Sequence, residues 1–398
     1  MGLRSLFSRF FRPRPRAVAE PASPAPPGIA RGRVDHVVIL DGTMASLRED
    51  ERTNAGRVFL LLSTGKAQVG RSLYYDEGIP WRGWRRIMDV IEGRGLEEQI
   101  LRAYGHLASH YREGDRIFLF GYSRGAFAAR SLAGVIAKVG LLRQDAATER
   151  NLHLAWRWYQ RRGNDEGVRA FREASCHART PIRMIGVWDT VKALGLRFPL
   201  LWMLTEGRYA FHDPHPVQDL DFALQALALD ETRVVYEPVL WQSHPGGEGP
   251  GQGGGAHVEQ VWFRGAHADI GGHLGRFDAA LPLSNIPLVW MLDRAAQAGL
   301  DLPSGWRKRF PCDPAAPMIG TWAGFGAAFL YRRRRRIGRD PSERLHESVP
   351  ETERLRWRLA RQGASGQGVP GQDVPRQGAA ADDAVSQTSK ASIPISKG

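Results

Sequence analysis

Cysteine is almost absent from this chain: Cys176 and Cys312 are the only two in 398 residues. They lie far apart and without metal-ligand spacing, which excludes a disulfide scaffold and a cysteine-rich zinc module. Both read as reduced thiols in a protein made in the cytoplasm. Long apolar runs are lacking as well. Met318 to Tyr331 comes nearest to a membrane span, but it is too short and small residues interrupt it. The opening Met1-Gly2-Leu3-Arg4-Ser5-Leu6 has arginine where a signal peptide needs a continuous apolar core, and Leu6 breaks the myristoylation pattern. Peripheral membrane association or non-classical export therefore remain the routes by which it reaches a lipid. There is no internal repeat, no zinc-finger spacing, no aromatic-plus-basic RNA signature and no recognition helix, which speaks against nucleic acid as the partner. The Gly-rich tract from Pro245 to Gly255 has no Walker lysine and is expected to be a mobile loop. No motif implies a cofactor.

What the chain does have is an apolar content of 42%, enough for one large α/β domain with extensions. Its formal charge of +13 is concentrated in the first 16 residues and in the run Arg332 to Arg336, and favours an anionic partner such as a phospholipid surface. Residues 1–30 read as a basic, Pro/Ala-rich disordered leader, 31–350 as the catalytic domain, and 351–398 as a short helix followed by a disordered tail. In the leader, Leu3, Leu6, Phe7, Phe10 and Phe11 keep helical spacing and also fit a short basic amphipathic segment.

Strand and helix alternate along the domain. Apolar strands are expected at Val34–Leu40, Arg71–Tyr75, Ile117–Phe120, Ile182–Trp188 and Val258–Phe263. Helices are expected from Asn54 to Leu62, around Leu96 to Ala108, after Gly125, in the Arg-rich stretch to Arg172, and at Ile286–Ala298. This alternation predicts an α/β fold with a mainly parallel central sheet and helices on both faces. Residues 194–212 break the pattern and read equally as a lid or an extra core helix.

The most informative stretch is Asp115 to Ala129. A buried strand runs into Gly121-Tyr122-Ser123-Arg124-Gly125 and then into an Ala-rich helix. This is the pattern of a nucleophile elbow, in which a strained serine stands at the C-terminal edge of the sheet. Side chains at positions 121 and 125 would collide across so sharp a turn, so glycine is expected at both.

A serine hydroxyl needs a base, and the base needs a carboxylate to hold its tautomer. Ser123, Asp189 and His267 occur in the Ser–acid–His order of α/β-hydrolases, and both partners directly follow expected strands. Asp189 also suits a helix cap. Asp269 is its rival as the acid, or else a brace for His267, while His273 and His346 are reserve bases. His267 is expected in a tight exposed loop. The oxyanion donors are expected to be the backbone N–H of Arg124 and one from Gly42, Thr43 or Met44. Asp41 follows the first strand. Asp41-Gly42-Thr43 suggests a dehalogenase-type phosphatase, but Ile39 stands where that chemistry needs a second aspartate. A metal site from Asp41, Asp189, His267 and Asp269 is the rival constellation, though no spacing demands it.

Taken together, Asp41-Gly42-Thr43, Tyr74-Tyr75-Asp76-Glu77-Gly78, Gly121-Tyr122-Ser123-Arg124-Gly125-Ala126-Phe127, Gly186-Val187-Trp188-Asp189-Thr190-Val191, Val261 to Gly272 and Leu345-His346-Glu347-Ser348-Val349 resemble the catalytic domain of type VI secretion phospholipase effectors. The likeness runs over roughly residues 34 to 350. It implies a serine lipase or esterase, with Ser123 as nucleophile and His267 as base. It also implies a phospholipid or other ester substrate, and an immunity or secretion partner. Two departures stand out. Met44 and Ala45 follow Thr43 where the family's motif usually continues with Gly and Asn, and Gln225 occupies a position often held by histidine. The alternative function is a catalytically weak relative that binds lipid or protein. A surface role is further expected for Ile319, Trp322, Phe325, Phe329 and Leu330 beside Arg332–Arg336, as a bilayer-docking segment, unless these residues pack on the core.

Overall fold

The computed structural model describes residues 32–64, 70–78, 94–161, 166–191, 215–243, 255–323 and 329–365. The expected leader, the lid at 194–212, most of the Gly-rich loop, Phe325 and the tail beyond residue 365 lie outside them.

Among the described residues, seven strands form one sheet: β1 (Asp35–Leu40), β2 (Arg71–Asp76), β3 (Arg116–Tyr122), β4 (Ile182–Trp188), β5 (Leu220–Ala228), β6 (His257–Phe263) and β7 (Glu343–Leu345). Their order is β2-β1-β3-β4-β5-β6-β7, and every neighbouring pair is parallel. The expected α/β class with a parallel sheet is what the chain adopts.

Alternation along each strand sends side chains to opposite faces. Val38, Leu40, Ile117 and Leu119 enter one core with helices α2 (Arg94–His110), α3 (Arg124–Val139) and α4 (Glu149–Gln160). Val37, Ile39, Phe118 and Phe120 enter the other with α1 (Asn54–Ser63) and, further along the chain, the helix Leu281–Gln297. Strands covered on both faces read as continuous apolar runs, which is why β1, β3 and β4 stand out in the sequence. Helix α1 starts where Thr53 Oγ1 accepts the N–H of Gly56 at 3.0 Å, a side-chain N-cap.

The strand order has one reversal that matters for function. From β1 the chain moves outward to β2, then returns to β3 on the other side of β1. That leaves a switch point at the C-terminal ends of β1 and β3, where ligand sites of open α/β sheets form.

Local expectations needed adjustment in several places. After α5 (Glu166–Ser175), β5 and β7 are strands that the sequence did not announce; Ala, Leu and Gln in β5 are helix formers overridden by burial between β4 and β6. His267 does not sit in an exposed loop: it opens a short helix, α6 (His267–Gly271), and is buried. Helix α7 (Leu281–Gln297) starts five residues before its expected Ile286, so Pro287 falls inside it. The Pro287 carbonyl accepts from Trp188 Nε1 at 3.3 Å. Helix α8 (Glu351–Ser365) follows β7. Both cysteines are free thiols, Cys176 buried and Cys312 exposed.

Candidate active site

Ser123 lies between β3 and α3 with φ 57° and ψ −118°, a strained conformation for a residue with a Cβ. Its N–H donates to Trp188 O at 3.0 Å, tying the turn to the end of β4. The flanking glycines are sterically required. A Cβ on Gly121 would sit 2.5 Å from Gly125 O, as expected across the turn. One on Gly125 would sit 2.1 Å from Leu40 O, so the second glycine answers to the neighbouring strand instead.

Asp189, at the end of β4, also has positive φ, 44°. Its carboxylate is fully buried and faces His267 on α6, so that three elements deliver their side chains to one point. His267 Nε2 lies 2.8 Å from Ser123 Oγ, and Nδ1 lies 2.5 Å from Asp189 Oδ2. With Nδ1–H donating to the carboxylate, Nε2 is left to accept the serine hydroxyl, the tautomer that the network requires. The imidazole is held between two rings, Tyr236 stacked at 4.6 Å and Tyr122 tilted at 4.9 Å.

Asp189 has a further partner that sequence reasoning missed. Arg335 binds it through both guanidinium nitrogens, Nη1 to Oδ1 at 2.5 Å and Nη2 to Oδ2 at 2.8 Å, while Ala228 N–H donates to Oδ1 at 3.0 Å. Burial alone would raise the aspartate's pKa. The Arg335 charge and its hydrogen bonds, with that of His267, outweigh burial and hold Asp189 well below the usual carboxylate range. Glu231 is a second buried carboxylate there, and it accepts the backbone N–H of His267 at 3.1 Å. Burial opposes its charge too, but paired Arg233 keeps its pKa below normal.

Arg335 corrects the reading of Arg332–Arg336 as one solvent-facing basic cluster. It is 3% exposed, and its neighbours are engaged too: Arg332 lies over the Trp322 ring, Arg333 pairs with Glu237 and Arg334 with Glu353. In the fold Arg335 is buried, Arg336 exposed and Ile337 buried, an alternation that a run of five identical arginines conceals in the sequence. Ile319 is half-buried, with its backbone N–H donating to Asp269, and Phe329 packs edge-on against Tyr236. Trp322, Leu330 and Tyr331 are exposed at 63%, 82% and 73%.

Gly42 N–H is already donated to Asp41 Oδ1 at 2.7 Å, which removes it from the expected oxyanion donors and leaves Thr43 and Met44 in the loop. Asp41 also accepts from Thr53 at 2.6 Å and Tyr75 at 2.8 Å. Burial pushes its pKa up to about 6 despite those bonds. Asp269 does not reach the imidazole. It accepts the N–H groups of Ala266, Ile319 and Gly320, bracing the start of α6 against the 319–320 segment. His346 stacks on Phe263 and bonds Ser348, away from the serine. The rival metal constellation is not assembled: Asp41 and Asp269 spend their oxygens elsewhere, and among the described residues no three His, Cys, Asp or Glu side chains group to hold an ion. Among the described residues, no helix is long and apolar enough to cross a membrane.

The chain is 28% identical over 236 residues to an uncharacterized protein of Saccharomyces cerevisiae, covering 52% of this chain and 33% of that one. It thus spans about a third of that relative's length. A crystal structure of an uncharacterized protein from Pseudomonas aeruginosa aligns at 16% identity and TM-score 0.39, covering 71% of this chain and 49% of that one. The structure of the Tle1 effector bound to the VgrG spike from the Type 6 secretion system aligns at 19% identity and TM-score 0.35, covering 61% and 52%. The model of the T6SS phospholipase effector Tle1-like catalytic domain matches residues 35–294, a stretch that carries Ser123, Asp189 and His267, and the chain belongs to that family.

Proposed function

We propose that this protein hydrolyses carboxylic esters, with phospholipid acyl esters as its substrates, through an acyl-enzyme on Ser123. The observation that carries the reading is the unbroken chain from Ser123 Oγ through His267 to Asp189, at 2.8 and 2.5 Å. Membership of a phospholipase effector family supports the substrate class.

In the proposed reaction, Ser123 Oγ attacks the ester carbonyl carbon as Nε2 of His267 takes its proton. Asp189 holds Nδ1–H and stabilises the imidazolium. The oxyanion accepts hydrogen bonds from Arg124 N–H, at the start of α3, and from Thr43 N–H in the loop after β1. Collapse breaks the ester C–O bond, and His267 returns the proton to the leaving alcohol, a lysophospholipid. Water, deprotonated by the same nitrogen, then releases the fatty acid. Asp41, with no part in the chemistry, holds the oxyanion loop against Thr53 and Tyr75. The exposed side chains of Trp322, Leu330 and Tyr331 form an apolar rim by which the protein meets the lipid surface.

Incubation with a mixed phospholipid extract, followed by mass spectrometry of the products, tests the substrate class. Free fatty acid with lysophospholipid is the expected outcome. A fluorophosphonate probe should label the wild type at Ser123 and leave Ser123→Ala unlabelled, with hydrolysis lost by about a thousandfold or more in that variant. Retained hydrolysis by folded Ser123→Ala would end the serine-hydrolase reading.

A further inference from the structure

We propose that Arg335 is a positioning residue for the reaction, its guanidinium holding Asp189 in register with His267 and keeping the resting charge of the buried site balanced. The inference rests on the roles proposed above for Ser123, His267 and Asp189. Its own support is geometric. Arg335 grips both carboxylate oxygens of Asp189, and it also donates to Ala228 O and to Tyr236 O, the carbonyl of the residue whose ring stacks on His267. One side chain therefore ties together the acid, the end of β5 and the ring that covers the base. A planar, permanently charged fork suits that task, whereas a lysine ammonium offers only a point charge.

The charge count gives Arg335 a second consequence. Each carboxylate that bonds His267 has its own guanidinium, Asp189 with Arg335 and Glu231 with Arg233; Tyr122, Tyr236 and His273 also lie beside the ring, with Arg124 acting on Tyr236, Asp41 on Tyr122, and Asp269, on α6, turned to backbone N–H groups. The two ion pairs that bond His267 cancel, so its immediate partners are balanced while the imidazole is neutral. Removing Arg335 leaves one excess negative charge in a buried site, and that favours proton uptake by the Asp189–His267 pair. A protonated pair cannot accept the serine proton. The acid limb of kcat/KM must then move to higher pH. Both Arg335 Nη2 and His267 Nδ1 contact the same Oδ2 atom, which places the charge within about 5 Å of the ring nitrogen. At an effective dielectric near 20, the movement is on the order of two pH units. The limb belongs to the coupled pair and not to either residue.

The experiment is the pH dependence of kcat and KM for a short soluble ester, measured on wild type, Arg335→Gln, Arg335→Lys and Ser123→Ala in the full chain. Arg335→Gln is expected to move the acid limb upward by about one pH unit or more. Arg335→Lys, which keeps the charge but loses the fork, is expected to leave the limb in place while kcat falls about tenfold with KM little changed. A folded Arg335→Gln that loses rate equally at every pH would overturn the inference, as would a Lys variant whose limb moves with the charge retained. If melting shows that Arg335→Gln does not fold, the Lys variant decides by the same criterion. Should Ser123→Ala remain active, the underlying reading fails and the role of Arg335 falls with it. An inactive Ser123→Ala beside an unmoved limb removes the Arg335 inference alone.

Discussion

Replacing Asp189 by asparagine puts the site's wiring under the most direct stress, because the amide must place its NH2 group on one of two occupied sides. On the Oδ1 side it would face two donors that cannot turn into acceptors, Arg335 Nη1 and Ala228 N–H. On the Oδ2 side it would face Arg335 Nη2 and His267 Nδ1. Only the imidazole can adapt, by moving its proton from Nδ1 to Nε2. The structure therefore selects the second orientation, and with it the tautomer whose Nε2 cannot take the Ser123 proton. A wrong-tautomer triad loses on the order of ten-thousandfold in kcat, about 5 kcal/mol of barrier. The same change leaves Arg335 buried without its counter-charge, which typically costs about 3 to 5 kcal/mol of stability. That is a large share of the roughly 5 to 15 kcal/mol available to a folded domain. The assay is kcat on a soluble short-chain ester, with thermal melting run alongside so that rate is normalised to folded protein. Asp269→Asn is the control: its oxygens serve backbone N–H groups and never the imidazole, so its rate loss should be far smaller. Folded Asp189→Asn within about tenfold of wild type would refute the proposed wiring.

Other expectations follow from the same geometry. His267→Ala should be nearly as damaging as Ser123→Ala, since triad members act as a unit, whereas His273→Ala should be mild; the reverse order in a kcat comparison would mean that the base is misassigned. Asp41 has its folded-state pKa raised to about 6, above its unfolded value, so its charged form is disfavoured by folding. The handicap is absent below the unfolded pKa and develops as pH rises through the window from about 4 to about 6, reaching about 3 kcal/mol. Denaturant unfolding of wild type and Asp41→Asn should accordingly show wild type losing ground to the variant as pH climbs from 4 to 7, and a constant gap would contradict this. Leu330→Ser, at an exposed position on the proposed apolar rim, should slow hydrolysis of phospholipid vesicles several-fold and leave the soluble ester untouched. Equal effects on both substrates would remove the rim from the lipid encounter.

The sequence by itself determined the parallel α/β fold, the strained serine turn with its two glycines, and the Ser123, Asp189, His267 order. These are written in contiguous residues: doubly buried strands are apolar along their length, and a tight turn demands glycine at Gly121, where its own backbone returns, although Gly125 is demanded by the neighbouring strand. Three strand ends carrying chemically complementary side chains then imply convergence, because parallel strands all end on one edge of the sheet. Tertiary structure alone decided the rest. Helix formers in β5 became a strand because β4 and β6 claim its backbone hydrogen bonds along both edges, while its side chains enter the cores on both faces of the sheet. Gly42 was lost as an oxyanion donor to a carboxylate one residue away, which depends on how Thr53 and Tyr75 orient Asp41. Arg335 looked like one of five identical surface charges, and nothing in its neighbours along the chain distinguishes it as the partner of an aspartate 146 residues earlier. Charge pairing inside a protein is a matter of distance and desolvation, and both are properties of the folded chain.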